Sequence, residues 1–166
     1  MSLVYVHSFQ SPIGKITLAS SDAGLAIIKL SGERSADFQK MLAKRFGKFE
    51  KASGGTTNKK AQKQILAYLS GKRQTFDIEL DIEGTPFQKK VWQRVRKIPY
   101  GATTTYGQIA RSIRNDGASR AVGSANGRNN LPLIIPCHRV VASSGLGGYG
   151  GGLVTKKKLL KIEGSL

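Results

Sequence analysis

The only cysteine, Cys137, lies in the run Leu133-Ile134-Ile135-Pro136-Cys137-His138-Arg139-Val140-Val141, with an imidazole and a guanidinium directly after it. An isolated cysteine is most often a small buried hydrophobe. These neighbours point to other chemistry, because nearby positive charge favours thiolate over thiol, and thiolate is the nucleophile. Adjacent residues on a regular strand face opposite ways. Cys137 and His138 can therefore cooperate only if the chain turns there or a water bridges them, and Pro136 favours such a local irregularity. A base of this kind needs an orienting group. Acids are scarce: after Glu83 only Asp116 and Glu163 remain. Glu163 ends the last expected helix, 154–162, where a solvated helix-end charge is its ordinary role, and spacing alone does not select it.

The stretch Ser143-Ser144-Gly145-Leu146-Gly147-Gly148-Tyr149-Gly150-Gly151-Gly152 is dense in glycine. It is either a flexible connection or a wall of backbone amides that approaches a planar ligand closely, with Tyr149 packed beside it. It holds no Gly-Lys-Ser/Thr phosphate motif, which argues against nucleotide hydrolysis. One cysteine and two histidines, His7 and His138, exclude an intramolecular disulfide framework and a multi-cysteine zinc site. No metal and no cofactor are expected.

The elements that must position these groups fall into two lobes, 1–82 and 83–166. In the first, 3–9, 15–19 and 24–30 read as strands punctuated by Pro12-Ile13-Gly14 and Asp22-Ala23-Gly24, a small antiparallel meander in which His7 is a strand residue. Phe38, Met41, Leu42, Arg45 and Phe46 recur at helical spacing, as do Ala61, Ile65, Tyr68 and Leu69. The segment 51–57 between them reads as a flexible loop, and 75–80 as a further strand. The second lobe opens with Thr85 as N-cap, Pro86 in the first turn and Gln88 completing a capping box. Phe87, Val91, Val95 and Ile98 then form an apolar stripe beside Trp92, which is core rather than a ligand box. Residues 104–113 read as a short helix, Asn115-Asp116-Gly117 as a turn, and 118–126 as a second short helix rich in small residues. Two short helices about a tight turn have the form of a helix-turn-helix. The fold class is thus α+β, with a mostly helical second lobe.

Lysine and arginine total 27 against 10 acidic residues, a formal net charge of +17. At this chain length such an excess favours a polyanionic partner. Charge alone does not separate DNA, RNA and acidic membranes. The apolar runs are too short to span a bilayer, and no secretory leader is visible, so an intracellular protein is expected.

The string Pro136-Cys137-His138-Arg139-Val140, with Arg120-Ala121-Val122-Gly123 and Thr105-Tyr106 upstream, resembles the O6-alkylguanine-DNA alkyltransferase family. The 129–137 segment, the Gly-Gly-Tyr loop and Ile162-Glu163-Gly164 match in order, so the resemblance spans about Thr85 to Gly164 and is weak before it. It implies a ribonuclease-H-like first lobe and repair of O6-alkylguanine in double-stranded DNA, with O4-alkylthymine as a second candidate, by single, irreversible transfer to Cys137. It also implies the roles. Cys137 is the nucleophile, His138 deprotonates it through a water, Glu163 orients His138, and Asn129 holds the turn that presents the cysteine. Tyr106 gives a proton to the guanine ring. The Cys137 and Val140 carbonyls read the exocyclic amine, and the Tyr149-Gly150 backbone meets the O6 side. Arg120 fills the gap left by the flipped base, and Asn115 and Ser143 contact DNA. Gly150 stands where some members carry a hydroxyl, and Asn126 where the recognition helix is often apolar. A monomer is implied, in the cytoplasm of a prokaryote or the nucleus of a eukaryote. Two other readings stay open on the residues themselves: a DNA-binding protein that senses alkylated bases without repairing them, and a cysteine hydrolase using Cys137, His138 and Glu163.

Overall fold

The computed structural model describes residues 1–32 and 35–166, which divide into two compact units, Met1–Ile82 and Glu83–Leu166. The first unit opens with β1 (Ser2–Phe9), β2 (Ile16–Ser21) and β3 (Gly24–Lys29), followed by α1 (Ser35–Phe46), β4 (Phe49–Ser53) and α2 (Thr56–Leu69). The three leading strands pair antiparallel, with His7 opposite Leu18 and Ala19 opposite Ile27. The sheet is not purely antiparallel. Its order is β3-β2-β1-β4, and β4 lies parallel to β1 with Tyr5 opposite Ala52. A parallel neighbour needs a crossover, and α1 supplies it.

Period-2 alternation decides which helix meets which face. Val4 and Val6 face α1, joining Ala19, Ala26, Ile27, Phe38 and Leu42 in one core cluster. Tyr5 and His7 face α2, where Gly55 lies against the Tyr5 ring and His7 hydrogen-bonds Gln62. His7 is thus a strand residue with a structural partner.

Two expectations for this unit need correction. Residues 51–57 are not a loop: the strand continues to Ser53 and α2 begins at Thr56. As an edge strand β4 buries little and shows no apolar alternation to read. Residues 75–80 form no strand; the segment is extended and touches the sheet through one bridge, Leu25 to Leu80. Its backbone is held by Leu25 N–H donating to Glu79 O at 2.8 Å and Asp81 N–H donating to Leu25 O at 2.8 Å. Gly24 permits this approach, since a Cβ there would lie 2.5 Å from the Glu79 carbonyl oxygen.

The second unit contains α3 (Pro86–Arg96), β5 (Thr104–Thr105), α4 (Tyr106–Ser112), α5 (Ser119–Gly127), a 3-10 turn (Cys137–Arg139), β6 (Val140–Val141) and α6 (Leu153–Ile162). The expected capping box at Thr85 and Gln88 is present. Val91, Trp92, Val95 and Ile98 are buried, and the Trp92 indole donates to Ala125 O at 2.9 Å, fixing α3 against α5. The helix expected over 104–113 starts later. Thr104 and Thr105 pair in parallel with Val140 and Val141, and Thr105 then caps α4 through a second capping box with Gln108. This small strand pair puts the start of α4 beside the end of the cysteine turn. The described residues contain no helix long and apolar enough to cross a membrane.

Candidate active site

The chain between α5 and Cys137 is a series of turns, although its composition is that of a buried strand. Asn129 organises it: its Oδ1 accepts from Leu131 N–H at 2.9 Å and its Nδ2 donates to Ile135 O at 2.8 Å. Within this clasp Leu133 takes φ 77°, a left-handed conformation that side chains disfavour. Cys137 N–H then donates to Ile135 O at 2.7 Å, and Arg139 N–H to Pro136 O at 2.9 Å. Cys137, His138 and Arg139 therefore occupy one helical turn and do not alternate across a strand.

All three are buried, with Cys137 6% exposed. His138 Nε2 lies 2.7 Å from Glu163 Oε2. Arg139 grips the same carboxylate, Nε to Oε1 at 2.8 Å and a terminal nitrogen to Oε2 at 2.9 Å, and donates to Ile98 O at 2.8 Å. Its guanidinium also lies over the Tyr100 ring. Glu163 is 5% exposed, which overturns its reading as a solvated helix-end charge. The helix ends against the cysteine turn, so the carboxylate points inward.

Burial pushes the His138 pKa below its usual value; the Glu163 hydrogen bond and charge oppose this, and the positive charges of Arg139 and Lys156 add to it. A neutral ring beside a carboxylate donates Nε2–H to it, which leaves Nδ1 as the lone-pair nitrogen. Arg139 does not act as a free cation beside the cysteine, as its position in sequence implied, because Glu163 takes its charge.

Tyr106 opens α4. Its ring lies between α5 and the glycine-rich loop: a Cβ on Gly123 would stand 3.8 Å from the ring, and one on Gly147 only 2.7 Å from the hydroxyl. Burial raises the phenol pKa, a backbone hydrogen bond from Gly148 opposes the rise, and the Cys137 charge adds to it. Tyr106 therefore keeps its proton at neutral pH.

The two carbonyls expected to read an amine are not equally open. Cys137 O already accepts from Val140 N–H and from Asn126 Nδ2 at 3.2 Å. Val140 O accepts from Lys156 Nζ at 2.7 Å and has a second lone pair. Tyr149 is half-buried and its carbonyl accepts from Gly152 N–H at 3.0 Å, while Gly150 is exposed. Arg120 on α5, Asn115 in the turn before it, and Ser143 are exposed, unlike the buried network.

Sequence reasoning missed Lys156 and gave Asn126 no role in the site. Lys156 is fully buried and also donates to Gly148 O at 3.0 Å. Its signal was a charged residue on the apolar stripe 156, 159, 160, 163 of the last helix, hidden in the run Lys156-Lys157-Lys158. Asn126 is 6% exposed, a buried amide on the helix face next to the cysteine.

Comparison with known proteins agrees with this geometry. Residues 86–165 match the model of the 6-O-methylguanine DNA methyltransferase DNA binding domain, and residues 4–82 match its ribonuclease-like domain. The chain is 43% identical over 164 residues to the methylated-DNA–protein-cysteine methyltransferase of Methanosarcina acetivorans, covering 98% of this chain and 99% of that protein. It is 46% identical to the namesake from Methanosarcina barkeri, covering 96% and 97%. Among solved structures, Mycobacterium tuberculosis OGT in complex with DNA superposes with a TM-score of 0.83 at 41% identity, over 97% of this chain and 93% of that one. The O6-methylguanine-DNA methyltransferase of Pyrococcus kodakaraensis superposes with a TM-score of 0.70 at 31% identity, over 97% and 99%. With both domain models matched in order and the buried cysteine network in place, the chain belongs to the 6-O-methylguanine DNA methyltransferase family.

Proposed function

We propose that this protein repairs O6-alkylguanine in double-stranded DNA by moving the alkyl group, once and irreversibly, onto Cys137. The observation that carries the reading is the single cysteine at the head of a turn whose next two residues share one buried carboxylate, Glu163. His138 Nδ1 takes the thiol proton through a water, and Glu163 holds the ring in the tautomer that allows it. The thiolate attacks the alkyl carbon in line. The carbon–sulfur bond forms, the carbon–O6 bond breaks, and its electron pair stays on the guanine while Tyr106 supplies a proton to the ring. The product is a thioether, which water does not cleave under mild conditions, so one chain repairs one lesion without a cofactor.

The target base cannot be reached inside the stack and must be flipped out. In this reading Arg120, exposed on α5, fills the gap, the small-residue face of α5 lies close to the minor groove, and Asn115 and Ser143 contact the backbone. Val140 O and the Tyr149-Gly150 backbone line the base. The substrate places the protein with the chromosome, in prokaryotic cytoplasm or a eukaryotic nucleus, and one subunit suffices.

Mass spectrometry of the protein mixed with an O6-methylguanine duplex tests this. One methyl on Cys137 and none beyond it, even with excess DNA, is expected. An unmodified Cys137 after the DNA is repaired, or repeated turnover, would refute the reading.

A second expectation concerns Gly147. At φ 73° it occupies backbone space that favours glycine, and a Cβ would press on the Tyr106 hydroxyl. Gly147→Ala should slow single-turnover transfer by about tenfold to a hundredfold, with a smaller loss of DNA binding. Transfer at the wild-type rate would mean that Tyr106 need not sit where it does.

A further inference from the structure

Lys156 lies among buried apolar residues of α6, and an ammonium taken out of water needs a compensating charge. Two of its three donors are used, by Val140 O and Gly148 O. Neither acceptor carries a full negative charge. The acids of this unit are Glu83, Asp116 and Glu163, and among the described residues none lies within ion-pair distance of Lys156. Glu163 is shared by Arg139 and His138. The remaining candidate anion is Cys137, at the start of the turn whose following residue, Val140, is bonded to Lys156.

We propose that Lys156 is a positioning residue for alkyl transfer: its buried ammonium ties the cysteine turn to the glycine-rich loop and is the counter-charge that holds Cys137 as a thiolate. This rests on the transfer reading of the site. The two bonds of the ammonium explain the tie. Val140 closes the turn by donating its N–H to Cys137 O, and Lys156 holds Val140's carbonyl. Gly148 bonds Tyr106 on one side and offers its carbonyl to Lys156 on the other. One side chain thus sets the distance between the nucleophile's turn and the loop that carries the proton donor.

Electrostatics supports the geometry. Burial lowers the Lys156 pKa to about 8, and attraction to Cys137 acts against that fall. The other charged or titratable groups near the pair are His138 and Arg139 on the cysteine turn, Glu163 on α6 and Tyr106 on α4. Arg139 is paired with Glu163, His138 is neutral until it takes the thiol proton, and Tyr106 keeps its own proton, so Lys156 is the standing positive charge of the site.

The test reads thiolate formation without DNA. The rate of Cys137 carbamidomethylation by iodoacetamide is followed against pH in the full-length wild type and in Lys156→Met, with urea denaturation establishing that the variant folds. Loss of the counter-charge should move the midpoint of the profile upward by about one unit or more, with about tenfold slower reaction below the wild-type midpoint. A folded variant with the wild-type midpoint overturns the proposal, since the Cys137 thiolate would then form without the Lys156 charge and the side chain would be a structural tie alone. If Lys156→Met does not fold, the wild type decides. In lysine-labelled protein the Lys156 resonance is titrated before and after carbamidomethylation of Cys137. Removing the thiolate should lower the lysine pKa below about 8, and an unchanged titration overturns the proposal. Methyl transfer from DNA is scored separately. Its absence in the wild type would refute the transfer reading, whereas wild-type transfer with an unshifted Lys156→Met profile refutes the lysine assignment alone.

Discussion

Cys137→Ser is expected to eliminate methyl transfer to the protein while leaving binding to duplex DNA near the wild-type level. A serine hydroxyl is far less acidic than a thiol, and the base available to it is weak. Burial holds the His138 pKa below its usual value, which suits the removal of a thiol proton and not that of an alcohol. The buried ammonium of Lys156 stabilises an anion only where one can form. The substitution itself is mild: it shortens one buried side chain and introduces a hydroxyl, at a cost of about 1–3 kcal/mol if the hydroxyl stays unpaired. The exposed residues expected to meet DNA, Arg120, Asn115 and Ser143, lie outside the buried network. Binding is measured by fluorescence anisotropy at fixed salt, and transfer by label from an O6-methylguanine duplex. Methyl incorporation by the serine variant at the wild-type rate would place the acceptor elsewhere.

The second large effect should come from Arg139→Met, which removes a buried charge while keeping much of the side-chain volume. Arg139 makes two bonds to Glu163 and one to Ile98 O. Without it, a carboxylate that is 5% exposed loses two hydrogen bonds and the positive charge that faces it. Breaking a buried ion pair by removing one member costs about 3–5 kcal/mol, a large share of a typical domain's stability. The loss should appear in urea denaturation followed by tryptophan fluorescence, since Trp92 reports on this unit. Replacing both members, Arg139→Met with Glu163→Gln, should cost less than Arg139→Met alone, because no uncompensated charge remains. The single variant should also draw His138 toward the imidazolium, since the Arg139 charge opposes protonation. A destabilisation below about 1 kcal/mol would mean that Glu163 is solvated in solution.

Much of this was readable from residue order, for local reasons. The capping box at Thr85 and Gln88 forms from residues three apart. The stripe of Val91, Val95 and Ile98 follows helical spacing, and the alternation of β1 assigns Val4 and Tyr5 to opposite faces. The motif around Cys137 fixed the family because reactive groups there are consecutive in the chain. What failed locally was the low-contrast structure: β4, an edge strand with little to bury, and Thr104–Thr105, whose pairing partner lies at Val140–Val141.

The tertiary structure decided where charge goes. Sequence places Arg139 two residues from Cys137 and Lys156 nineteen away, so proximity along the chain assigned the activating cation to Arg139. Packing of the end of α6 against the cysteine turn hands Arg139 to Glu163 and leaves Lys156 as the buried ammonium without a carboxylate among the described residues. The same packing turns Glu163 from an exposed helix-end charge into the partner of both His138 and Arg139. Electrostatic roles depend on distance and on access to water, and neither is a property of position in the chain. The sequence determined that this cysteine sits in a reactive motif; only the fold determined which charges surround it.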